Sequence, residues 1–220
     1  MQWRGRGGAP ARVGRKVKAK VRYWLEGHQI LYPDAPGQRI DYAYPTYAPF
    51  KILESVPGEG YPVTVGKYTG IHYSTVVIIG GQHHLEWVGT LHAHVEDGDW
   101  VTAPDSIGTK GPVVIGSDVF IGFEAVITSG VTIADGAVVA ARSVVARSVE
   151  PYSVVAGNPA KHIKYRFDEP TREALLRIRW WDWSTDKVAQ HKDQINSPDV
   201  EGFVARHDPN LGTLSCELCQ

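Results

Sequence analysis

From Ile115 to Glu150 an aliphatic side chain returns at every sixth position: Ile115, Ile121, Ile127, Ile133, Val139 and Val145. The residue that follows is small each time (Gly116, Gly122, Thr128, Ala134, Ala140, Ala146), and the fifth position, from Val119 to Val149, is small or β-branched. A helix repeats every 3.6 residues and a lone strand every two, so neither produces this pattern. A six-residue return describes a short strand and a tight corner, and three such units close a triangular rung with the aliphatic side chains inside. The pattern therefore predicts a parallel β-helix. The same period begins at Val65, Ile71 and Val77. Val65 and Ile115 are fifty residues apart, which is not a multiple of six, so the segment between Gln82 and Val113 leaves the coil as a long loop. Loops of this length inside a compact repeat are commonly functional, and this one carries Trp87 and Trp100.

Beyond the coil the pattern changes. "EPTREALLRIRWWDW" has Pro170 at its start and Ala174, Leu175, Ile178 and Trp181 on one side, which predicts a helix packed on the coil by its Trp residues. Ser184 or Thr185 is placed to cap a second helix. The chain is thus expected to divide into a basic arm and irregular segment (1–50), the coil (51–166) with its loop at about 83–112, helices (167–195) and a tail (196–220).

Composition narrows the class without changing it. With 220 residues, 43% hydrophobic and 21% charged, the chain is long enough to bury one good core. Arg4, Arg6, Arg12, Arg15, Lys16, Lys18, Lys20 and Arg22 all precede the first acid, Glu26, and are read as a solvated arm, with no nucleic acid as partner. No apolar run reaches the roughly 18 residues of a membrane span, so the expectation is a cytoplasmic protein with no membrane partner. Cys216 and Cys219 lack the strand and helix of a redox motif and a second ligand pair for zinc, and are read as part of the tail.

The loop opens on "GGQHHLEWVGT". Together with "VIGSDVFIGFEAVI", "VVAARSVVARSVEPYSVVAGNPAKHIKYRF" and "EALLRIRWWDW", it resembles the xenobiotic acetyltransferase branch of the left-handed β-helix acyltransferases, which includes chloramphenicol and streptogramin acetyltransferases. The family pattern is close to GGNHRTDWVST, and the resemblance covers about Val65 to Trp183. It implies the left hand of the helix, a homotrimer, acetyl-CoA in the cleft between neighbouring prisms, a small-molecule acceptor under the loop, and His83 as the catalytic histidine. His84 stands where the family often has Arg, Glu86 where it often has Asp, and Phe120 where many members have Trp. "GTLHAH" (Gly89 to His94) replaces the family's STYPF, so the acceptor is left open.

The residues support that chemistry. Histidine has an ordinary pKa of about 6.5, so a neutral imidazole is available to take the proton of an acceptor hydroxyl. His83 is read as the base, with Glu86 or a backbone carbonyl fixing its tautomer. Adjacent residues on an extended segment face opposite sides, so only one of His83 and His84 faces the cleft. Lys161, Lys164 and Arg166 are read as holding the phosphates of CoA, Phe120 as an aromatic wall, Gly122, Ala140 and Ala141 as lining the pantetheine groove, and Trp87, His92 and His94 as touching the acceptor. No cysteine in the coil and no nucleophile elbow points to direct transfer. Two other readings stand beside this one. His83, His92 and His94 can be drawn as the ligands of a γ-type zinc carbonic anhydrase, although the expectation is no metal; and the prism can be a non-catalytic trimeric scaffold.

Overall fold

The computed structural model describes residues 40–43, 45–46, 50–53, 63–90, 93–97, 99–102 and 107–211. The chain divides into two units, 1–31 and 32–220, and every described residue lies in the second. The basic arm and Cys216 and Cys219 lie outside the described residues.

The chain enters as β1 (Ile40–Tyr42) and β2 (Lys51–Leu53), then makes a full turn through β3 (Val63–Val65), β4 (Gly70–Ile71) and β5 (Val76–Ile78). It leaves the coil as β6 (Gln82–His83), forms the hairpin β7 (Ala93–Glu96) and β8 (Asp99–Thr102), and returns through β9 (Ile107–Gly108). Two further turns follow, β10 (Val113–Ile115), β11 (Phe120–Ile121) and β12 (Val126–Thr128), then β13 (Thr132–Ile133), β14 (Val138–Val139) and β15 (Val144–Val145). The last rung holds β16 (Ser153–Ala156), against which β17 (Lys161–Tyr165) turns back antiparallel.

These strands stack into three walls, ordered β1-β3-β10-β13, β17-β16-β14-β11-β4 and β15-β12-β5-β2. Within the uninterrupted repeat the parallel pairings are a count of its period. Val114 pairs with Thr132, Phe120 with Val138 and Val126 with Val144, eighteen positions on in each case. Val63 pairs with Val113, fifty on, and still in register. The excursion therefore leaves the coil and rejoins it without disturbing the walls. The fold is a left-handed parallel β-helix, as the repeat and the resemblance together led us to expect.

The repeat positions explain the core. The first-position residues Ile115, Ile121, Ile127, Ile133, Val139 and Val145 and the fifth-position residues Val119, Ala125, Val131, Ala137, Ser143 and Val149 are all buried. Each large aliphatic side chain so buried contributes about 1.5–3 kcal/mol relative to exposure. The six-residue period thus has two inward columns, one bulky and one mostly small, which together fill a narrow prism.

After the prism come α1 (Glu169–Ile178), a short 3₁₀ turn (Trp180–Asp182), α2 (Thr185–Ile195) and α3 (Val200–His207). Asp168 caps α1 by accepting from the Thr171 amide, and Ser184 caps α2 by accepting from the Lys187 amide. Leu175, Ile178, Trp181 and Phe203 form one buried cluster with Tyr152 of the coil. Two boundaries differ from the sequence reading. Pairing begins at β1, within the segment assigned to the arm, because Ile40–Tyr42 lie alongside Val63–Val65. Residues 200–207, assigned to the tail, form α3, capped by Asp199 and held to α1 by Arg177, whose Nη2 lies 2.7 Å from the buried Asp208 carboxylate.

Candidate active site

The neck of the loop decides where its first residues stand. Gln82 pairs with Gly108 and His83 with Ile107, so the outgoing and returning strands lie side by side. The Gln82 side-chain amide donates to the hydroxyl of the buried Ser129 at 2.7 Å, and the Lys110 backbone N–H donates to the same oxygen at 3.2 Å. Thr109 donates its hydroxyl to the Ile79 carbonyl. Gly130 has φ 74°, and a Cβ there would stand 2.6 Å from the Lys110 carbonyl oxygen, so this corner accepts only glycine beneath the returning strand.

His83 follows Gln82 and is turned the other way, with its ring exposed. Its Nδ1 lies 2.5 Å from the Thr90 carbonyl oxygen. A carbonyl can only accept, so Nδ1 carries the proton, and the lone pair of the neutral ring is on Nε2. This is the tautomer that a general base presenting Nε2 requires. The group that meets Nδ1 is a backbone carbonyl, and Glu86 is not at that atom.

Glu86, read as a catalytic partner, lies instead with His84: Nδ1 of His84 is 2.9 Å from Oε1 of Glu86. A backbone hydrogen bond first, and the His84 hydrogen bond second, hold the Glu86 carboxyl below the usual carboxylate range. His84 also stacks on Trp87, with ring centroids 4.3 Å apart and planes 11° apart. The His83 ring thus meets the loop backbone at Thr90, and the His84 ring meets the side chains of Glu86 and Trp87. Leu85, Trp87 and Val88 are exposed at the loop tip. His92 lies outside the described residues, and so does the side chain of His94, whose backbone is in β7. Two members of the His83, His92 and His94 set are therefore without described side chains; among the described residues no group of three or more His, Cys, Asp or Glu is placed to hold a metal ion.

The residues assigned to CoA separate into three kinds. Lys161 and Lys164 are exposed on β17, and Phe120 is exposed on the outside of its wall. Ala140 is half-buried and Ala141 is exposed on the turn that follows β14. Gly122 is buried, and a Cβ there would meet the Ala141 backbone nitrogen at 2.7 Å. Its small size thus serves the close approach of the next coil rather than a groove. Arg166 is also reassigned. Its Nη1 donates to Asp118 at 2.9 Å and to the Gly136 carbonyl at 2.8 Å, and its guanidinium lies over the rings of Tyr152 and Phe167. Burial pushes the Asp118 carboxyl up, against the pull of Arg166. The Arg166 charge is committed to the fold, and the cations left outward on β17 are Lys161 and Lys164.

Comparison with known proteins identifies the family. The family model described as bacterial transferase hexapeptide (six repeats) matches residues 112–147. A chloramphenicol acetyltransferase of Agrobacterium fabrum is 37% identical over 150 residues, covering 66% of this chain and 72% of that protein. A probable macrolide acetyltransferase of Lysinibacillus sphaericus is 37% identical over 142 residues, covering 63% of this chain and 79% of that one. Among solved structures, a hexapeptide-repeat acetyltransferase of Vibrio cholerae in complex with acetyl-CoA is 27% identical with a TM-score of 0.43, covering 60% of this chain and 62% of that one. The chain belongs to the xenobiotic acetyltransferase branch of the hexapeptide-repeat acyltransferases. It is an acetyltransferase.

Proposed function

We propose that the protein moves the acetyl group of acetyl-CoA directly to a hydroxyl of a small molecule, with His83 as the general base. The observation that carries this reading is the contact between His83 Nδ1 and the Thr90 carbonyl, which sets the ring with its basic nitrogen at Nε2. Acetyl-CoA supplies an already activated thioester, so the protein must position the acceptor and remove its proton. His83 Nε2 takes the hydroxyl proton as the acceptor oxygen becomes bonded to the acetyl carbon, and CoA leaves as the thiol. A hydroxyl suits one imidazole base better than an ammonium, which would need a further base. Lys161 and Lys164 supply the charge for the phosphates of CoA. The exposed ring of Trp87 supplies an apolar face for the acceptor, with His92 and His94 further along the same loop.

The family relationship favours a trimer with shared sites, and the exposed Tyr73, Val114, Phe120 and Phe123 on the prism are the apolar surface such an assembly covers. A donor drawn from central metabolism places the work in the cytoplasm. The names of the relatives make chloramphenicol and macrolides the first acceptors to offer.

The test is single-turnover acetyl transfer by His83→Ala and His84→Ala, with acetyl-CoA affinity measured separately. His83→Ala is expected to lose about 10²- to 10⁴-fold in rate with affinity retained, and His84→Ala much less. Equal losses in the two variants would sink the assignment of a single base. A sedimentation mass of one chain at micromolar protein would remove the shared site.

A further inference from the structure

We propose that Ser129, on the corner between β12 and β13, is a positioning residue for the reaction: its hydroxyl clasps both feet of the excursion loop and thereby sets the direction of the His83 ring. The inference rests on the reading of His83 as the base. It is built on the neck geometry. Ser129 is buried and follows β12 directly, a strand paired on both sides by β5 and β15. Its oxygen accepts from Gln82, the residue immediately before His83, and from Lys110, the residue two beyond β9. One atom of the rigid prism therefore holds the outgoing and the returning strand together.

The consequence for His83 follows from strand geometry. Successive side chains on an extended segment point to opposite sides. With the Gln82 amide drawn down onto Ser129, the His83 ring is turned away from the prism and toward the Thr90 carbonyl. Two paired residues on each strand, Gln82 with Gly108 and His83 with Ile107, are too short a ladder to resist rolling about their own axis. The Gln82 to Ser129 bond supplies the resistance. The Gly130 corner adds to it, because its amide donates to the Gly111 carbonyl at 3.0 Å and seats the returning foot beside the same hydroxyl.

The experiment uses the full chain with ¹⁵N-labelled histidine, in wild type, Ser129→Ala, Gln82→Met and the double variant. The His83 signal is identified by its loss in His83→Gln. Wild type is expected to show the Nδ1–H tautomer at His83. Both single variants are expected to lose that fixed signature, and to lose about 10- to 100-fold in the rate of acetyl transfer to chloramphenicol with acetyl-CoA affinity within about twofold. The double variant should lose no more than Ser129→Ala, which already removes the Gln82 contact. Gln82 is half-buried, so Gln82→Met keeps its length and the fold and answers for Ser129→Ala if that variant is poorly folded. An unchanged His83 tautomer in both variants, or fully additive losses, would overturn the proposal. A wild-type protein that acetylates no acceptor would instead refute the reading of the reaction, while the spectra still decide the clasp.

Discussion

The coil and the tip of its loop use the same kinds of side chain to opposite ends. Ile121, Ile127 and Ile133 are fully buried in the prism, whereas Leu85 is 82% exposed and Val88 wholly so. The coil is closed by pairing on three walls, whereas the contacts of the loop include His84 with Glu86 and Trp87 and His83 with the Thr90 carbonyl. The contrast shows a division of work. Stability is stored where the period is strict, and on the proposed function the base and the acceptor's apolar face stand where it is interrupted.

Substitutions that attack each side sharpen the contrast. Ile127→Ala, in the coil, is expected to cost about 3–5 kcal/mol of stability, because it empties a fully buried position between stacked rungs; denaturant unfolding measures it. Arg166→Met is expected to cost about 1–3 kcal/mol, since it leaves the half-buried Asp118 carboxylate without its cation. It should leave acetyl-CoA affinity unchanged, and a large loss of affinity would return Arg166 to the phosphate site.

A third effect belongs to the helices. Burial first, then the nearby charges of His191, Lys187 and Arg206, hold the His207 pKa below its ordinary 6.5. The folded state thus prefers neutral His207, so this contribution is fully present above about pH 6.5 and is lost as pH falls from there through the lowered value. The melting temperature should drop on acidification across that window, and His207→Gln should flatten the drop. The smallest effect is expected at the tip: Val88→Ser should change stability by less than about 0.5 kcal/mol, and a larger loss by unfolding would break the division between coil and loop.

The hexapeptide period made the prism legible because every sixth residue meets the same environment, so the sequence states the packing rule many times over. The excursion was legible as a fault in that count. The Thr90 carbonyl was not, since every residue carries a carbonyl and nothing in its side chain marks the one that His83 meets. Gln82 and Ser129 are 47 positions apart, and the repeat fixes the coil's register without fixing how a loop foot lies on it. Arg166 reads as one of three cations after "GNPAK", and its partner Asp118 is 48 positions away at a coil corner. For α3 a signal was present: Asp199 before Val200, Phe203 and Val204 is a cap followed by helical spacing. It is a single short helix, eight residues long, and its apolar face has meaning only beside Trp183 and α1.

The meeting of the two loop feet has a consequence for how such an enzyme changes its clientele. Because Gln82 and Gly108 are neighbours, and Gln82 and Lys110 are fastened to the same corner, the chain between them is topologically a side branch with a fixed doorway. A segment of another length or composition can be spliced through that doorway while the rungs above and below keep their places. On the proposed function the guest, antibiotic or metabolite, is then chosen by a replaceable insert, and the scaffold is inherited whole.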